Sequence, residues 1–457
     1  MKGLVRRMLP CAFAVCMAFA FASCGASGDA KYGGGGVAGD MAGDYETGAP
    51  DSAGEEEGTQ ERPLPQAGQL TAGEWNDNKN YEFFKSLFDK EVVAPQPDES
   101  GNVPDVLIYK ENIFMPYAQD EVWGKDENAV VHHETWGMSP LRRVEVTVKG
   151  ADGNPAAGAS VALIAKGKTS VGAYCATKTD ANGKAYLFPS LSVKEYDVIA
   201  GYGEDLTARA QADENGYTVT LTEESRAFTQ LDLCFMIDTT GSMGDELGYL
   251  QAEVGDVISR VQTELPNADI RLGLVFYRDF EDEYVVESFD FTSDIAAQQT
   301  VLKKQRAAGG GDYPEAVHEA LAETLGLSWR GDARKILVPV LDAPPHDSKT
   351  EQGTKRDIRG EYGTLVYQAA EKGIAAVPVA ASGVDVPTQY VLRSTALITG
   401  GTYVFLTDDS GIGNGHDKPV VGEFVVEYLN SCLVRVLGEL YDGKERPAVP
   451  YAQDVKE

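Results

Sequence analysis

The chain has 457 residues, 71 acidic against 40 basic, and a formal net charge of −31. Its length allows two or three domains of roughly 100–200 residues each, and its hydrophobic share of 43% is enough to form buried cores. The acidic excess argues against nucleic acid as a partner, because phosphate binding needs a basic face, and only 6 cysteines occur, which excludes a disulfide-rich scaffold.

Residues 1–23 have the pattern of an export signal. Lys2, Arg6 and Arg7 give a positive start, and the apolar stretch that follows is too short for a convincing membrane span. The stretch ends in Phe-Ala-Ser-Cys at Cys24, which resembles a bacterial lipobox. The resemblance implies that Cys24 is lipidated and anchors the mature chain to a membrane. Ordinary signal-peptidase cleavage, which would leave a spare thiol, is the alternative.

Residues 24–68 are rich in glycine and acidic residues and hold almost no large apolar side chain. Such a segment cannot offset its loss of conformational entropy by burial, so we predict a flexible tether. A coil of about 44 residues would span about 35–40 Å on average. With the anchor, this predicts a membrane-anchored lipoprotein of the cell envelope, extracytoplasmic or at the cell surface.

Residues 69–141 contain one recognisable element, after folded sequence begins near Leu70. Tyr81, Phe84 and Phe88 lie at helical spacing, which predicts a short helix packed on a neighbour. The rest of this segment has no assignable pattern. It either completes the domain that follows or forms a separate cap.

The hydrophobic period changes to two from Arg142 onward. Val144, Val146 and Val148 alternate with polar residues, as in a half-buried strand. Further short strands alternate with turn signals every 8–12 residues or so, which predicts a small all-β sandwich over 142–222. Its turns and strands resemble bacterial Ig-like and carboxypeptidase-regulatory-like modules. That resemblance implies a spacer or binding module and no catalysis.

A buried strand that ends in a loop of oxygen ligands begins at Leu231. The apolar run from Leu231 to Ile237 delivers Asp238, Thr240 and Ser242 into the loop at its carboxyl end. A helix with a one-sided apolar stripe is expected next, formed by Leu247, Leu250, Val254, Val257, Ile258, Val261 and Leu265. One carboxylate and two hydroxyls are hard ligands that suit Mg²⁺ or Ca²⁺. Taken alone, the motif could also be a helix cap and turn.

Two further segments direct acidic residues toward the same place. A glycine-rich turn at 309–311 brings Asp312 to the start of a predicted helix, and the apolar run 335–341 is a second buried strand that Asp342 follows directly. Open α/β sheets hold their binding sites at the carboxyl ends of their strands. We therefore expect Asp238, Asp312 and Asp342 at one edge of the sheet.

These three segments, in this order, resemble the von Willebrand factor A domain with its metal-ion-dependent adhesion site, over 228–442. The resemblance implies a doubly wound, mostly parallel α/β sheet, preceded here by the all-β sandwich and followed by a tail at 443–457. It also implies a divalent cation as cofactor, Mg²⁺ or Ca²⁺. The residues that match the family's ligands are Asp238, Thr240, Ser242, Asp312 and Asp342. The last helix is expected over 420–440, with Phe424 and Val425 in its buried stripe.

Two ligand positions depart from the family's pattern. Thr240 stands where serine is commoner, which keeps the hydroxyl. Asp312 stands where many members have threonine, so three aspartates would surround the cation and leave the site with a net negative charge. We expect such a site to hold its cation more firmly and to attract a partner's carboxylate less. Glu315 and Asp279 lie in adjoining segments, and these acids either add to this charge or are simply solvated.

A loop after the last predicted strand carries more oxygen ligands, namely Asp408, Asp409 and Asn414. Their spacing does not fit an EF-hand. Three interpretations of this loop are possible: a second cation site, a rim loop that contacts partners or the first site, and an ordinary capped turn. Cys234 and Cys432 are expected as buried thiols, although a disulfide between them is left open because sequence does not set its geometry.

The predicted function is metal-dependent protein binding or adhesion by an anchored envelope protein, with a protein ligand at the metal-bearing face and the membrane reached through Cys24. The alternative is an assembly or scaffold factor that docks onto another envelope protein. A metal-dependent hydrolase is a third reading, against which no Gly-x-Ser-x-Gly or His-Glu-x-x-His motif occurs. We therefore predict no catalytic residues and no enzyme activity.

Overall fold

The computed structural model describes residues 65–87, 91–93, 108–110, 136–168, 172–203, 206–213, 216–311, 313–351, 354–358, 360–381, 384–412 and 419–451. Several predictions from the sequence lie outside these ranges, namely the export signal 1–23, Cys24, most of the tether, Asp312, Asn414 and the end of the tail. No helix in these ranges has the length and apolar content needed to cross a bilayer.

The N-terminal segment holds one helix and three strands within its described residues, namely β1 (Thr71–Trp75), α1 (Tyr81–Ser86), β2 (Glu91–Val93) and β3 (Ile108–Lys110). Tyr81 and Phe84 of the predicted aromatic stripe are both buried on this helix, and its third member, Phe88, lies outside the described residues. Strands β2 and β3 pair with each other in an antiparallel hairpin.

The all-β region contains β4 (Val144–Lys149), β5 (Ser160–Ala165), β6 (Cys175–Lys178), β7 (Lys184–Leu187), β8 (Tyr196–Gly201), β9 (Ala208–Arg209), β10 (Gln211–Asp213) and β11 (Gly216–Thr220). These strands form two four-stranded sheets, in the orders β10-β11-β4-β7 and β6-β5-β8-β9. The alternating valines of β4 point into one core with Val161 and Leu163 of the other sheet. The expected all-β architecture is therefore present, and its likeness to Ig-like modules stays a prediction.

The α/β region continues from residue 230 with β12 (Gln230–Asp238), a 3₁₀ turn (Gly241–Asp245), α2 (Leu247–Glu264), β13 (Asp269–Tyr277), β14 (Val286–Thr292), α3 (Ile295–Leu302), α4 (Val317–Gly326), β15 (Arg334–Leu341), β16 (Ser348–Glu351) and β17 (Thr354–Asp357). It ends with α5 (Glu361–Glu371), β18 (Ile374–Ala376), β19 (Val379–Ala380), α6 (Val386–Thr399), β20 (Tyr403–Thr407), a 3₁₀ turn (Asp408–Ser410), β21 (Glu427–Tyr428) and α7 (Leu429–Asp442).

One large sheet organises this region, in the order β14-β13-β12-β15-β19-β20-β1-β21, with β18 also paired to β15. Strands β13, β12, β15, β19 and β20 run parallel, and β14 and β1 are antiparallel to their neighbours. Helices α2, α3 and α7 cover one face, and α4, α5 and α6 cover the other. Side chains of β12 alternate between these two cores, which is why its whole run is apolar. The predicted doubly wound, mostly parallel α/β fold is confirmed.

The segment that the sequence left unassigned belongs partly to this sheet. Strand β1 pairs antiparallel with β20 and with β21. The chain just before β1 is also held, because the N–H groups of Gly68, Gln69 and Leu70 donate to the fully buried carboxylate of Glu253 on α2 at 2.8–3.0 Å. The last residues that the sequence assigned to the tether therefore contact the domain.

The last helix begins later than the sequence predicts. It starts at Leu429, and Phe424 and Val425 are 37% and 43% exposed, not members of a buried stripe. The two residues directly before it instead form β21, which pairs with β1 at the edge of the sheet. Gly422 also packs against the indole of Trp75, where a Cβ would lie 2.6 Å from the ring. The prediction of a helix from 420 was wrong because it could not include this pairing.

Cys234 and Cys432 are both buried free thiols. Cys234 faces the core under α4, α5 and α6, and Cys432 lies in the core on the opposite face of the sheet. The buried-thiol prediction therefore holds for both residues, and the sheet between them excludes a disulfide in this fold.

Candidate functional site

The first ligand loop is closed by its own aspartate. Asp238 ends β12 and is fully buried, and its Oδ1 accepts hydrogen bonds from the backbone N–H of Thr240 at 2.8 Å and from the Thr240 hydroxyl at 2.7 Å. The hydroxyls of Thr240 and Ser242 lie 3.1 Å apart. Thr240 is also buried, whereas Ser242 is exposed. Three predicted ligands thus share one turn that opens to solvent on the Ser242 side.

Asp342 lies at the same edge of the sheet. Strands β12 and β15 are parallel neighbours, with Ile237 paired to Val340, so Asp238 and Asp342 both stand where adjacent strands end. The side chain of Asp342 is buried, at 7% exposure. The expectation that parallel strands would bring these two aspartates together agrees with this register.

The glycine-rich turn passes directly over the ligand loop. Ala308 N–H donates to the Thr239 carbonyl at 3.0 Å, and Gly241 N–H donates to the Gly309 carbonyl at 3.1 Å. Gly310 has a φ of +77°, and a Cβ there would lie 3.3 Å from the Cβ of Thr240. Glycine is needed because both the left-handed conformation and the close approach penalise a side chain. Asp312 follows this turn and is outside the described residues.

Glu315 is buried beside these residues rather than solvated. It is 3% exposed, and its N–H donates to the Pro344 carbonyl at 3.0 Å while its own carbonyl accepts from His346 N–H at 3.3 Å. These two bonds tie the start of α4 to the loop that carries Asp342. The sequence did not single Glu315 out as a ligand, and a carboxylate directly before the first buried residues of a helix gives no signal of its own burial.

Asp279 is a second acid that the structure buries, at 5% exposure. Its Oδ1 lies 2.6 Å from Nε2 of His346, and its backbone N–H donates to Asp282 Oδ2 at 3.0 Å. The ring of Phe280 packs between His346 and His318, with centroid distances of 5.0 and 5.9 Å. Burial lowers the pKa of His318 to about 4, so this imidazole is neutral at pH 7.

Burial and like charge raise the pKa values of the acids at the site. Desolvation, followed by the charge of Asp342, raises the pKa of Asp238 to about 7. Desolvation, followed by the charges of Asp238 and Asp279, raises the pKa of Glu315 to about 9. In both carboxylates the rise in pKa comes from burial and from neighbouring acids.

The donor set fits a hard divalent cation. Asp238 Oδ2 and Glu315 Oε2 are buried, and neither accepts a hydrogen bond of normal geometry from the described residues. The nearby hydroxyl of Tyr277 interacts with Asp238 and offsets only part of the rise in its pKa. Buried charged groups are normally paired or bound to a metal. Within the described ranges no three His, Cys, Asp or Glu side chains form a metal-binding group by themselves. Two of the predicted ligands are hydroxyls, and the fifth predicted ligand, Asp312, lies outside those ranges.

The loop after β20 lies apart from this site. Asp408 and Asp409 are exposed in the 3₁₀ turn after β20, which β15 and β19 separate from β12. At about 4.8 Å between strands, the lateral distance to Asp238 is about 14 Å. Ser410 N–H donates to the Thr71 hydroxyl at 3.0 Å, so this turn also supports β1. A second cation site or a rim contact here stays a prediction.

Comparison with known protein families identifies one domain. Residues 232–406 match the family profile described as the von Willebrand factor A domain. The putative ariadne-like RING finger protein R811 of Acanthamoeba polyphaga mimivirus is 28% identical over 186 residues, which is 38% of this chain and 18% of that protein. The alpha-protein kinase vwkA of Dictyostelium discoideum is 26% identical over 125 residues, 27% of this chain and 20% of that protein. The chain thus spans about a fifth of the length of these curated relatives.

Two solved structures show low overall similarity. The pilus adhesin SpaC from Lactobacillus rhamnosus GG is 13% identical, covers 47% of this chain and 31% of its own, and gives a TM-score of 0.32. The conserved hypothetical protein BatB from Bacteroides thetaiotaomicron is 17% identical, with coverage of 33% and 67% and a TM-score of 0.25.

Proposed function

We propose that the von Willebrand factor A domain formed by residues 232–406 binds a divalent cation, Mg²⁺ or Ca²⁺, and uses the cation-bearing edge of its sheet to bind a protein. The residues that would hold the cation are the five that match the family pattern: Asp238, Thr240, Ser242, Asp312 and Asp342. When bound, the cation would supply a positive centre to which an oxygen atom of the partner can bind.

The arrangement of Asp238, Thr240 and Ser242 carries this proposal. One oxygen of Asp238 fixes the turn through two hydrogen bonds, while its other oxygen is buried and makes no hydrogen bond of normal geometry with the described residues. The exposed Ser242 leaves the site open to a partner from solvent. The chain's own residues therefore preorganise the ligand oxygens before a cation arrives, which lowers the cost of binding.

We also propose that the chain is a lipoprotein, held in the cell envelope through Cys24 and acting by binding and not by catalysis. The support is the export signal, the lipobox-like sequence and the glycine-rich acidic segment that follows it. The kinase and RING finger names belong to relatives of which this chain matches about a fifth. No reaction is assigned to the chain.

The test is retention of cells that display the full chain on surfaces coated with extracellular-matrix proteins. The matched variant is Asp238→Asn, which removes the charge and keeps the shape, and its folding is checked by circular dichroism. We expect retention that EDTA abolishes, that excess Mg²⁺ or Ca²⁺ restores, and that the variant lacks. Retention that persists in EDTA would contradict metal-dependent adhesion.

The same cells distinguish adhesion from the two alternative functions, an assembly or scaffold factor and a hydrolase. A specific envelope protein that is cross-linked to the wild-type chain and lost in Asp238→Asn, without retention on any matrix surface, would identify an assembly or scaffold factor. A hydrolase would instead turn over an ester, peptide or phosphate substrate and lose that activity in both Asp238→Asn and Asp342→Ala.

A further inference from the structure

The backbone hydrogen bonds of Glu315 do not explain why its side chain is buried. Its N–H and carbonyl bond the loop after β15, at Pro344 and His346, and these bonds would survive replacement of the side chain. The side chain itself is almost fully buried, at 3% exposure. The carboxylate at this position therefore needs a separate explanation.

The carboxylate of Glu315 lies beside the ligand loop. Its Oε1 is 3.1 Å from the position of a Cβ at Gly310, and the Cβ of Thr240 is 3.3 Å from that same point, so Glu315 and Thr240 flank Gly310. Its Oε2 is buried and accepts no hydrogen bond within the described part of the chain.

The strongest charges that act on Glu315 are all acidic, namely those of Asp238, Asp279, Asp342 and Asp282. The amino terminus of α4 adds a partial positive charge, which is weaker than a full counter-charge. A buried carboxylate among like charges is stable only with a proton or with a positive charge nearby. The cation proposed at Asp238 and Asp342 is the positive charge that this position faces.

We propose that Glu315 is an outer carboxylate of the cation site, which strengthens cation binding through its charge without being one of the five predicted ligands. This inference rests on the proposed cation site. Outer partners of a metal typically change its affinity by about 10–100-fold.

The test compares the full chain with Glu315→Gln, Glu315→Asp and Glu319→Gln. The last variant is the matched control, because Glu319 lies four residues further along the chain, in the first turn of α4, and pairs with Lys349 at 2.6 Å. Mg²⁺, Ca²⁺ and Mn²⁺ are titrated separately into metal-free protein by calorimetry, and the melting temperature is measured with and without each cation.

We expect Glu315→Gln to weaken cation binding about 10–100-fold, Glu315→Asp to retain part of the affinity, and Glu319→Gln to stay within about twofold of wild type, because its carboxylate is neutralised locally by Lys349. Without cation, Glu315→Gln should melt above wild type because glutamine needs neither a proton nor a counter-charge when folding buries it. With saturating cation, its gain in melting temperature should be smaller than that of wild type.

Two results would overturn the inference, and only the second would also overturn the proposed function. Unchanged affinity in Glu315→Gln, with wild type binding a cation, would leave the proposed site intact and make Glu315 a structural residue. Absence of cation binding by metal-free wild type would remove both the proposed function and this inference.

Discussion

Replacing Asp77 with alanine should show whether the N-terminal segment is an integral part of the α/β domain. Asp77 and Arg393 are both fully buried, and Arg393 Nε donates to Asp77 Oδ2 at 2.8 Å while its Nη2 bonds Oδ1. Trp75 Nε1 donates to Asp77 Oδ1 at 3.1 Å. Asp77→Ala would leave the buried guanidinium on α6 without its carboxylate. Breaking a buried ion pair from one side costs about 3–5 kcal/mol.

The measurement is urea unfolding of the full chain, followed by tryptophan fluorescence. The control is Glu82→Ala, in the same segment, where the pair with Lys85 is largely exposed, with the Glu82 side chain at 83%, and is worth at most about 1 kcal/mol. The double variant Asp77→Ala with Arg393→Met should recover most of the loss, because no unpaired charge then remains buried. An effect of Asp77→Ala no larger than that of Glu82→Ala would refute the assignment of this segment to the domain.

Three further predictions concern the site and the core. Mg²⁺ or Ca²⁺ at a hundred times its Kd should stabilise the full chain by about 2.7 kcal/mol and so raise its melting temperature. Asp342→Ala should abolish this rise. The metal content of the same sample must be measured as a control. Gly310→Ala should lower stability by about 1–2 kcal/mol because of the left-handed conformation at this position, and it should also weaken cation binding. Gly311→Ala should do neither, because nothing lies within 4 Å of a Cβ there. Equal effects in the two variants would contradict the close packing of Gly310 on Thr240. Cys234 and Cys432 should both react with a thiol reagent after denaturation without prior reduction, and mass spectrometry would expose a disulfide as the contrary result.

The elements that the sequence predicts well are those whose residues carry a local pattern. The run from Leu231 to Ile237 is apolar because both faces of a central parallel strand are covered, and the helix after it shows one buried stripe. The ligand loop follows from its place directly after such a strand. These features need no knowledge of distant partners, so sequence reasoning identifies them.

The features that the sequence misses depend on pairing between distant residues. Strand β1 reads Thr-Ala-Gly-Glu-Trp, with no clear alternation, and its partner β20 is distant in the sequence, with Thr71 and Thr407 336 residues apart. The delayed start of α7 follows from that same pairing. The burial of Glu315 is missed for a related reason, since its side chain lies beside Gly310 and Thr240, and Thr240 is distant in the sequence.

The place where the chain enters the α/β domain bears on which partner the site can reach. Because β1 is antiparallel to β20, with Thr71 opposite Thr407, the chain before β1 arrives at the edge of the sheet that also carries Asp238 and Asp342. Pro65 packs near Gly248, at the start of the helix that follows the ligand loop.

The predicted tether therefore joins the domain at the edge of the sheet where the cation site is proposed. If Cys24 is the anchor, as proposed, the length of the tether would decide how far this edge can reach from the membrane. Removing residues 26–60 should abolish retention on an opposing surface, because the average reach falls from about 35–40 Å to roughly 15–18 Å. It should leave binding to a partner in the same membrane intact, as measured by cross-linking. Retention that is unchanged by this deletion would show that reach does not limit adhesion, whereas cross-linking that is lost with it would contradict a partner in the same membrane.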